Sequence, residues 1–122
     1  MPFSVLAEYV LGPKYDLSLV FVGDFLMRRL NRERRNKDKT TNVLSFPLDK
    51  NLGEIFMNPR KIIKESQKYD QDFTYRFAYL FIHSLLHLKG YDHSVKMESE
   101  EQRVLARFDF HEKKYSNRNR HR

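Results

Sequence analysis

The sequence predicts one domain that mixes helices with a small β-sheet, of the α+β or the α/β kind. Three observations lead there. Short β-branched apolar runs alternate with longer stretches of helical period. The chain has 122 residues, room for one domain and no more. Neither an internal repeat nor an interdomain linker interrupts it. The expected organisation is a folded unit over 1–112 followed by a basic flexible tail over 113–122.

Each element has its own signal. Residues 17–22, LSLVFV, are apolar and β-branched and read as a buried strand. Gly23 and Asp24 end it, and Asp24 is the candidate N-cap of a helix through about Arg35. In that helix Phe25, Leu26 and Leu30 fall on one side, with arginines around the rest. Residues 43–46, VLSF, are a second strand, stopped by Pro47. After a loop rich in Asp, Lys and Asn, Gly53 opens a short third strand, EIFM. Asn58 then caps a helix with Pro59 in its first turn. Asp72 caps a long helix, FTYRFAYLFIHSLLHLK, stopped by Gly90. That helix is apolar on most sides and should be largely buried. A last helix, over about 97–113, sets Met97, Val104, Leu105 and Phe108 against a run of acids.

Composition narrows the class. A mean hydropathy of −0.72 and 32% charged residues exclude a membrane protein, and no apolar run approaches the ~20 residues of a spanning helix. Seven Tyr and ten Phe exclude a disordered chain. The absence of cysteine removes disulfides, Cys-ligated zinc, iron–sulfur clusters and thiol catalysis, and agrees with a reducing compartment. The N-terminus shows no basic region ahead of an apolar stretch, so no secretory signal is expected. Of 23 basic residues, Lys113, Lys114, Arg118, Arg120 and Arg122 lie in the last ten positions; removing these five leaves 18 against 16 acids. A second basic stretch, RRLNRERRNKDK, runs from Arg28 to Lys39. Both suit a polyanion, nucleic acid first. Charge alone equally allows a solvated helix face and a solubilising tail.

The chemistry concentrates in His83-Ser-Leu-Leu-His87-Leu-Lys-Gly90-Tyr-Asp-His93. His83 and His87, four apart on a helix, share a face with Cβ atoms ~5–6 Å apart. Two imidazoles can close from there onto one ion, at zinc–nitrogen bonds of ~2.0–2.1 Å. Gly90 takes the left-handed conformation cheaply and turns the chain back, so that His93 can reach the same point. Three protein ligands with a fourth position free are the catalytic zinc pattern. A single histidine on an apolar helix is usually a satisfied core residue, but three in eleven residues around that glycine are harder to dismiss. His111 and His121 lie outside the pattern. The spacing is also that of metzincin proteases, whose Glu base would stand at Ser84. Without that base, metal-assisted cleavage of phosphodiesters suits the site better than peptide hydrolysis.

These residues resemble the signature of the YbeY family of rRNA maturation factors, written H-G-x-L-H-L-x-G-Y-D-H. A second family segment lies upstream: Leu30-Asn31, Arg35, Lys37-Asp38, then Thr41-Asn42-Val43-Leu44-Ser45-Phe46-Pro47. A third, Leu52-Gly53-Glu54-Ile55, is similar to the family's L-G-D-I, and Met97 and Glu101 fall where members carry Met and Glu. The resemblance covers roughly residues 17–110. It implies a zincin-like α+β fold and a zinc-dependent, single-strand-specific endoribonuclease. The activity would serve maturation of the 3′ end of small-subunit (16S) rRNA and ribosome quality control, in the cytoplasm. One Zn2+ would be held by His83, His87 and His93, with catalytic roles for Arg35 and His83. Its partners would be precursor rRNA and the small ribosomal subunit, with ribosomal proteins or an assembly GTPase, and no membrane. A guanidinium is a fixed fork for phosphate, which suits Arg35, though by sequence Arg32 and Arg34 are equal candidates. Asn42 and Ser45 could orient RNA or cap a turn; Lys113 and Lys114 could meet its backbone. Asp92 could hold a ligand imidazole or cap the turn after Gly90.

The chain departs from the pattern in places. Ser84 replaces a glycine, narrowing the space or adding a hydroxyl. Glu54 replaces an Asp on what reads as an edge strand. Members usually carry another strand and helix before LSLVFV, and the segment after His93 is shortened. Two other readings stay open: an RNA- or ribosome-binding assembly factor with a structural metal, favoured by the lack of an evident carboxylate base, and a metalloprotease. Three imidazoles also suit nickel, copper or iron.

Overall fold

The apolar faces meet across a three-stranded sheet. The computed structural model of the protein describes residues 1–112. In chain order these form α1 (Phe3–Leu11), β1 (Asp16–Phe21), α2 (Asp24–Arg35), β2 (Val43–Asp49), β3 (Leu52–Met57), α3 (Pro59–Lys68), α4 (Phe73–Lys89) and α5 (Val95–Arg107). The strand order is β1-β3-β2, with β1 parallel and β2 antiparallel to β3. The small mixed sheet and helices of an α+β domain are therefore present. Alternation along β3 splits the interior. Ile55 and Met57 join α1, α3, α4 and α5 in the main core, while Phe56 packs with Val22, Leu44 and Met27 under α2. Among the described residues, no helix is long and apolar enough to cross a membrane. The basic segment over 113–122, with Lys113 and Lys114, lies outside the described residues.

The caps that organise the site follow local rules. The Asn58 side chain accepts from the Lys61 amide at 3.3 Å, with Pro59 in the first turn of α3. The Asp72 carboxylate accepts from the Tyr75 amide at 3.1 Å and starts α4. Gly90, at φ 111°, ends it. There the Tyr91 amide reaches back to the Leu86 carbonyl at 3.0 Å and the Gly90 amide to that of His87. This is a Schellman ending, and it reverses the chain toward His93.

Several expectations are corrected by tertiary context. Strand β1 is not the buried one: it lies at the sheet edge, and β3 takes the centre. Glu54 is accordingly on the central strand, where it pairs with Arg34 at 2.7 Å. Pro47 does not stop β2, which continues to Asp49 as the opposite edge with a register shift after Pro47; an edge strand tolerates a residue without N–H. Asp24 is the first residue of α2 rather than its cap, a place taken by Gly23. Its carboxylate instead accepts from Asn58 Nδ2 at 2.7 Å and Thr40 Oγ1 at 3.2 Å. The Asn58 bond, first among the causes, holds Asp24 below its ordinary pKa. The inward face of α2 carries Met27 and Asn31, while Phe25 is 86% exposed. Asn31 tolerates burial because its Nδ2 donates to the Lys39 carbonyl at 2.9 Å.

Helix α5 starts at Val95 behind a Ser94 cap and ends at Arg107, six residues before the expected end. Asp109 stands there at φ 63°, and the Phe110 amide closes onto the Leu105 carbonyl at 2.9 Å. The stop was hard to read because an aspartate occupies the left-handed position that glycine usually takes. Helix α1 carries no clear signal in the sequence. It has no side-chain cap and buries only Leu6 and Val10, too short a stripe to announce itself. Gly53 matters for close approach: a Cβ there would run into the Tyr15 hydroxyl and sit 3.3 Å from the Phe46 carbonyl oxygen.

Candidate metal centre

Helix α4 supplies the scaffold. Nine of its 17 residues are buried, so its orientation is fixed by the core, and the half-buried stripe of Tyr79, His83 and His87 is left facing an open cleft. The cleft encloses about 730 Å³ between α4, β2, the end of α2 and the turn after Gly90. His83, His87 and His93 converge in it: one ring nitrogen from each lies within 4.8 Å of the others. His83 Nε2 and His87 Nε2 are 3.0 Å apart. Two zinc–nitrogen bonds at a tetrahedral angle would span about 3.3 Å.

The outer nitrogens decide what the inner ones can do. His83 Nδ1 donates to the carboxylate of Glu101, which can only accept. His87 Nδ1 donates to the Tyr91 carbonyl at 3.1 Å. Both Nε2 atoms are then acceptors aimed at each other, an arrangement that requires a proton or a cation between them. Burial first, and then neighbouring His83, push the pKa of His87 below its ordinary value, which keeps it in the neutral form that binds metal. The three residues therefore fit a divalent ion, and the exposure of His93 leaves the open side toward solvent.

Glu101 matches the family in sequence, but sequence reading gives it no role at the site. It is 2% exposed on α5, and its contact with His83 fixes both tautomer and ring direction. A signal existed: Met97, Glu101 and Val104 recur at four and three residues on one helix face. The acids beside it, Glu98 and Glu100, hid it. Asp92, a candidate for the same task, is exposed, and the imidazoles of His83 and His87 are oriented by Glu101 and Tyr91 instead. Replacing Glu101 with Ala should weaken metal binding ~10–100-fold, the usual cost of losing such an outer partner. Competition against a chromophoric chelator measures it. An unchanged affinity would mean that Glu101 only fills space.

The remaining candidates separate by position. Arg35, Asn42 and Ser45 line the cleft with the histidines. Arg34 instead pairs with Glu54 and lies over the Phe46 ring at 4.8 Å. Arg32 meets Asp38 at 3.4 Å. Among the described residues Arg35 makes no hydrogen bond or ion pair, so its guanidinium is free for a ligand. Asn42 Nδ2 donates to Glu65 at 3.0 Å, which fixes the Asn42 side chain toward α3. Ser84 is buried, and its hydroxyl donates to the Leu80 carbonyl at 2.9 Å. The serine thus spends its hydroxyl inside the helix and stands in no proteolytic base's role.

Comparison with known proteins adds to this geometry. A family model described as endoribonuclease YbeY matches residues 3–112. Endoribonuclease YbeY of Thermodesulfovibrio yellowstonii is 38% identical over 103 residues, covering 74% of this chain and 65% of that protein. The relative of the same name from Alkaliphilus metalliredigens is 37% identical over 102 residues, covering 75% and 66%. That of Clostridium acetobutylicum is 34% identical over 135 residues, covering 85% and 81%. Against the first two, the chain spans about two thirds of the relative's length. The solution structure of TM1509 from Thermotoga maritima covers 88% of this chain and 81% of its own, with a TM-score of 0.64 and 23% identity, a likeness of fold. Since the family model runs through nearly all the described residues and relatives exceed 30% identity, the chain belongs to the YbeY family.

Proposed function

We propose that this protein is a metal-dependent endoribonuclease that cuts single-stranded RNA. Its work would be in 3′-end maturation of small-subunit (16S) rRNA and in ribosome quality control in the cytoplasm. One observation carries the reading: three convergent imidazoles share one open cleft with the guanidinium of Arg35, which has no partner among the described residues. The relatives' name, endoribonuclease YbeY, points the same way. His83, His87 and His93 would hold the ion, zinc by preference, and its Lewis acidity would activate water and polarise phosphate. Arg35 would bind a phosphate oxygen bidentately and offset the charge that builds during cleavage. Asn42 and Ser45 would line the path of the strand. Lys113 and Lys114 would add attraction for the RNA backbone, and ribosomal proteins or an assembly GTPase would be the accompanying partners.

The direct test sets metal-loaded and chelator-treated protein against one RNA sequence, single-stranded and as a duplex. Cleavage of the single strand by the loaded protein alone is expected. Loaded protein that cuts neither form would overturn the enzyme reading and leave the assembly-factor reading, with its structural metal, as the better account.

A further inference from the structure

The cleft continues past His83. Tyr79 lies one turn back along α4, about 6 Å along the helix axis. Its half-buried ring stands 5.9 Å from the His83 ring, inclined at 33°. Tyr79 lines the metal cleft and also a second cavity of about 220 Å³, under a third of the size. Gln71, Tyr75, Arg76 and Glu112 complete that cavity. Its polar side is held in place by a chain of bonds. Arg76 reaches Glu65 at 3.2 Å and Gln71 Oε1 at 3.3 Å, and Gln71 Nε2 donates to Glu112 Oε2 at 2.9 Å. The other oxygen of Glu112 has no partner among the described residues.

We infer that this second cavity receives one nucleobase of a single-stranded RNA whose phosphate lies in the metal cleft. The inference rests on the ribonuclease reading and names how that site engages its substrate. A phosphate does not suit the cavity, because Glu65 already answers the charge of Arg76 and Glu112 adds a negative one. A base suits it on three counts. It offers a flat π-face to the rings of Tyr79 and Tyr75. It is neutral. Its edge carries amino or imino hydrogens for a carboxylate that only accepts. Adenine, cytosine and guanine offer an exocyclic amino group, whereas the one such donor of uracil, N3–H, stands between two carbonyl oxygens that repel a carboxylate, so uracil should be the least preferred. A base can enter only when it is free of a pairing partner, which supplies a structural cause for single-strand selectivity.

Fluorescence anisotropy with short 2′-O-methyl oligonucleotides tests the pocket, with metal content measured alongside. Tyr79→Leu keeps apolar volume but removes the π-face, and should bind roughly 5- to 150-fold more weakly, the range that base–aromatic stacking supplies. Tyr79→Phe keeps the ring and should bind like the wild type. Metal content should be the same in all three proteins. With wild-type protein, one abasic position in the oligonucleotide should reproduce the loss; with Tyr79→Leu that position should cost nothing further. Glu112→Gln should remove the preference for cytosine over uracil. Normal RNA binding by Tyr79→Leu, or an equal abasic penalty in both proteins, would overturn the base pocket while leaving the ribonuclease reading intact. Wild-type protein that holds metal yet binds none of the oligonucleotides would overturn both.

Discussion

Replacing His87 with Ala should abolish stoichiometric metal binding and, with it, RNA cleavage. The loss should exceed the ~10–100-fold expected for an outer partner such as Glu101, because a donor itself is removed. It should leave the fold in place, since α4 is anchored by its buried residues and its caps at Asp72 and Gly90 rather than by the imidazoles. Metal analysis after gel filtration and circular dichroism check the two halves. Acid should mimic the substitution. Imidazole binds metal only when neutral, and free histidine titrates near pH ~6.5. Below that value protons compete for the site, at up to about tenfold in affinity per pH unit for each imidazole that must lose one. The direction of the His87 shift matters here. Burial lowers its pKa, so its neutral form persists to lower pH than a free histidine's, and it resists acid release. Affinity measured at neutral pH and at about pH 5 should fall steeply between them. Equal affinities at the two values, or stoichiometric metal in His87→Ala, would show that the three histidines are not the ligands.

Much of the site was legible because its determinants are local. The i, i+4 spacing of His83 and His87 needs only a helix, and Asp72 and Gly90 mark both ends of that helix within a few residues. The turn that brings His93 round follows from glycine's freedom at positive φ. What escaped depends on partners distant in sequence. Whether LSLVFV lies at an edge or in the centre is decided by strand order, which puts EIFM in the middle. Whether Pro47 ends a strand depends on the same order. Phe25 looks like a core residue by type, yet the helix turns Met27 and Asn31 inward and leaves it in solvent. Glu101 is the sharpest case. It reads as one acid in a solvated run, and only the packing of α5 against α4 turns it into the group that sets the His83 tautomer.

The three arginines near the end of α2 are likewise told apart only by what surrounds them in the fold. By sequence Arg32, Arg34 and Arg35 were interchangeable; by position they are not. Arg34 is committed to Glu54 and to the faces of Phe46 and Phe56, at 4.8 and 5.5 Å. Arg32 is turned toward Asp38 in solvent. Arg35, the final residue of α2, lines the cleft together with the histidines, and among the described residues it pairs with no carboxylate. A free guanidinium there meets phosphate with two parallel N–H donors, and the grip strengthens as charge accumulates on the phosphate oxygens. Arg35→Ala should therefore lower cleavage of single-stranded RNA by ~10²–10³-fold, the cost of losing one preorganised donor. Metal content and thermal stability should be unchanged, because the side chain supports neither. Arg35→Lys should restore only part of the rate, since an ammonium keeps the charge and loses the fork. Arg32→Ala should cleave at the wild-type rate, as its exposed ion pair is worth little. Arg34→Ala should lose some stability with its ring contacts, yet retain cleavage at temperatures where it is folded. Similar small losses at all three positions would mean a diffuse basic face. Arg35 would then be one contact among many, and the assembly-factor reading would gain over the enzyme.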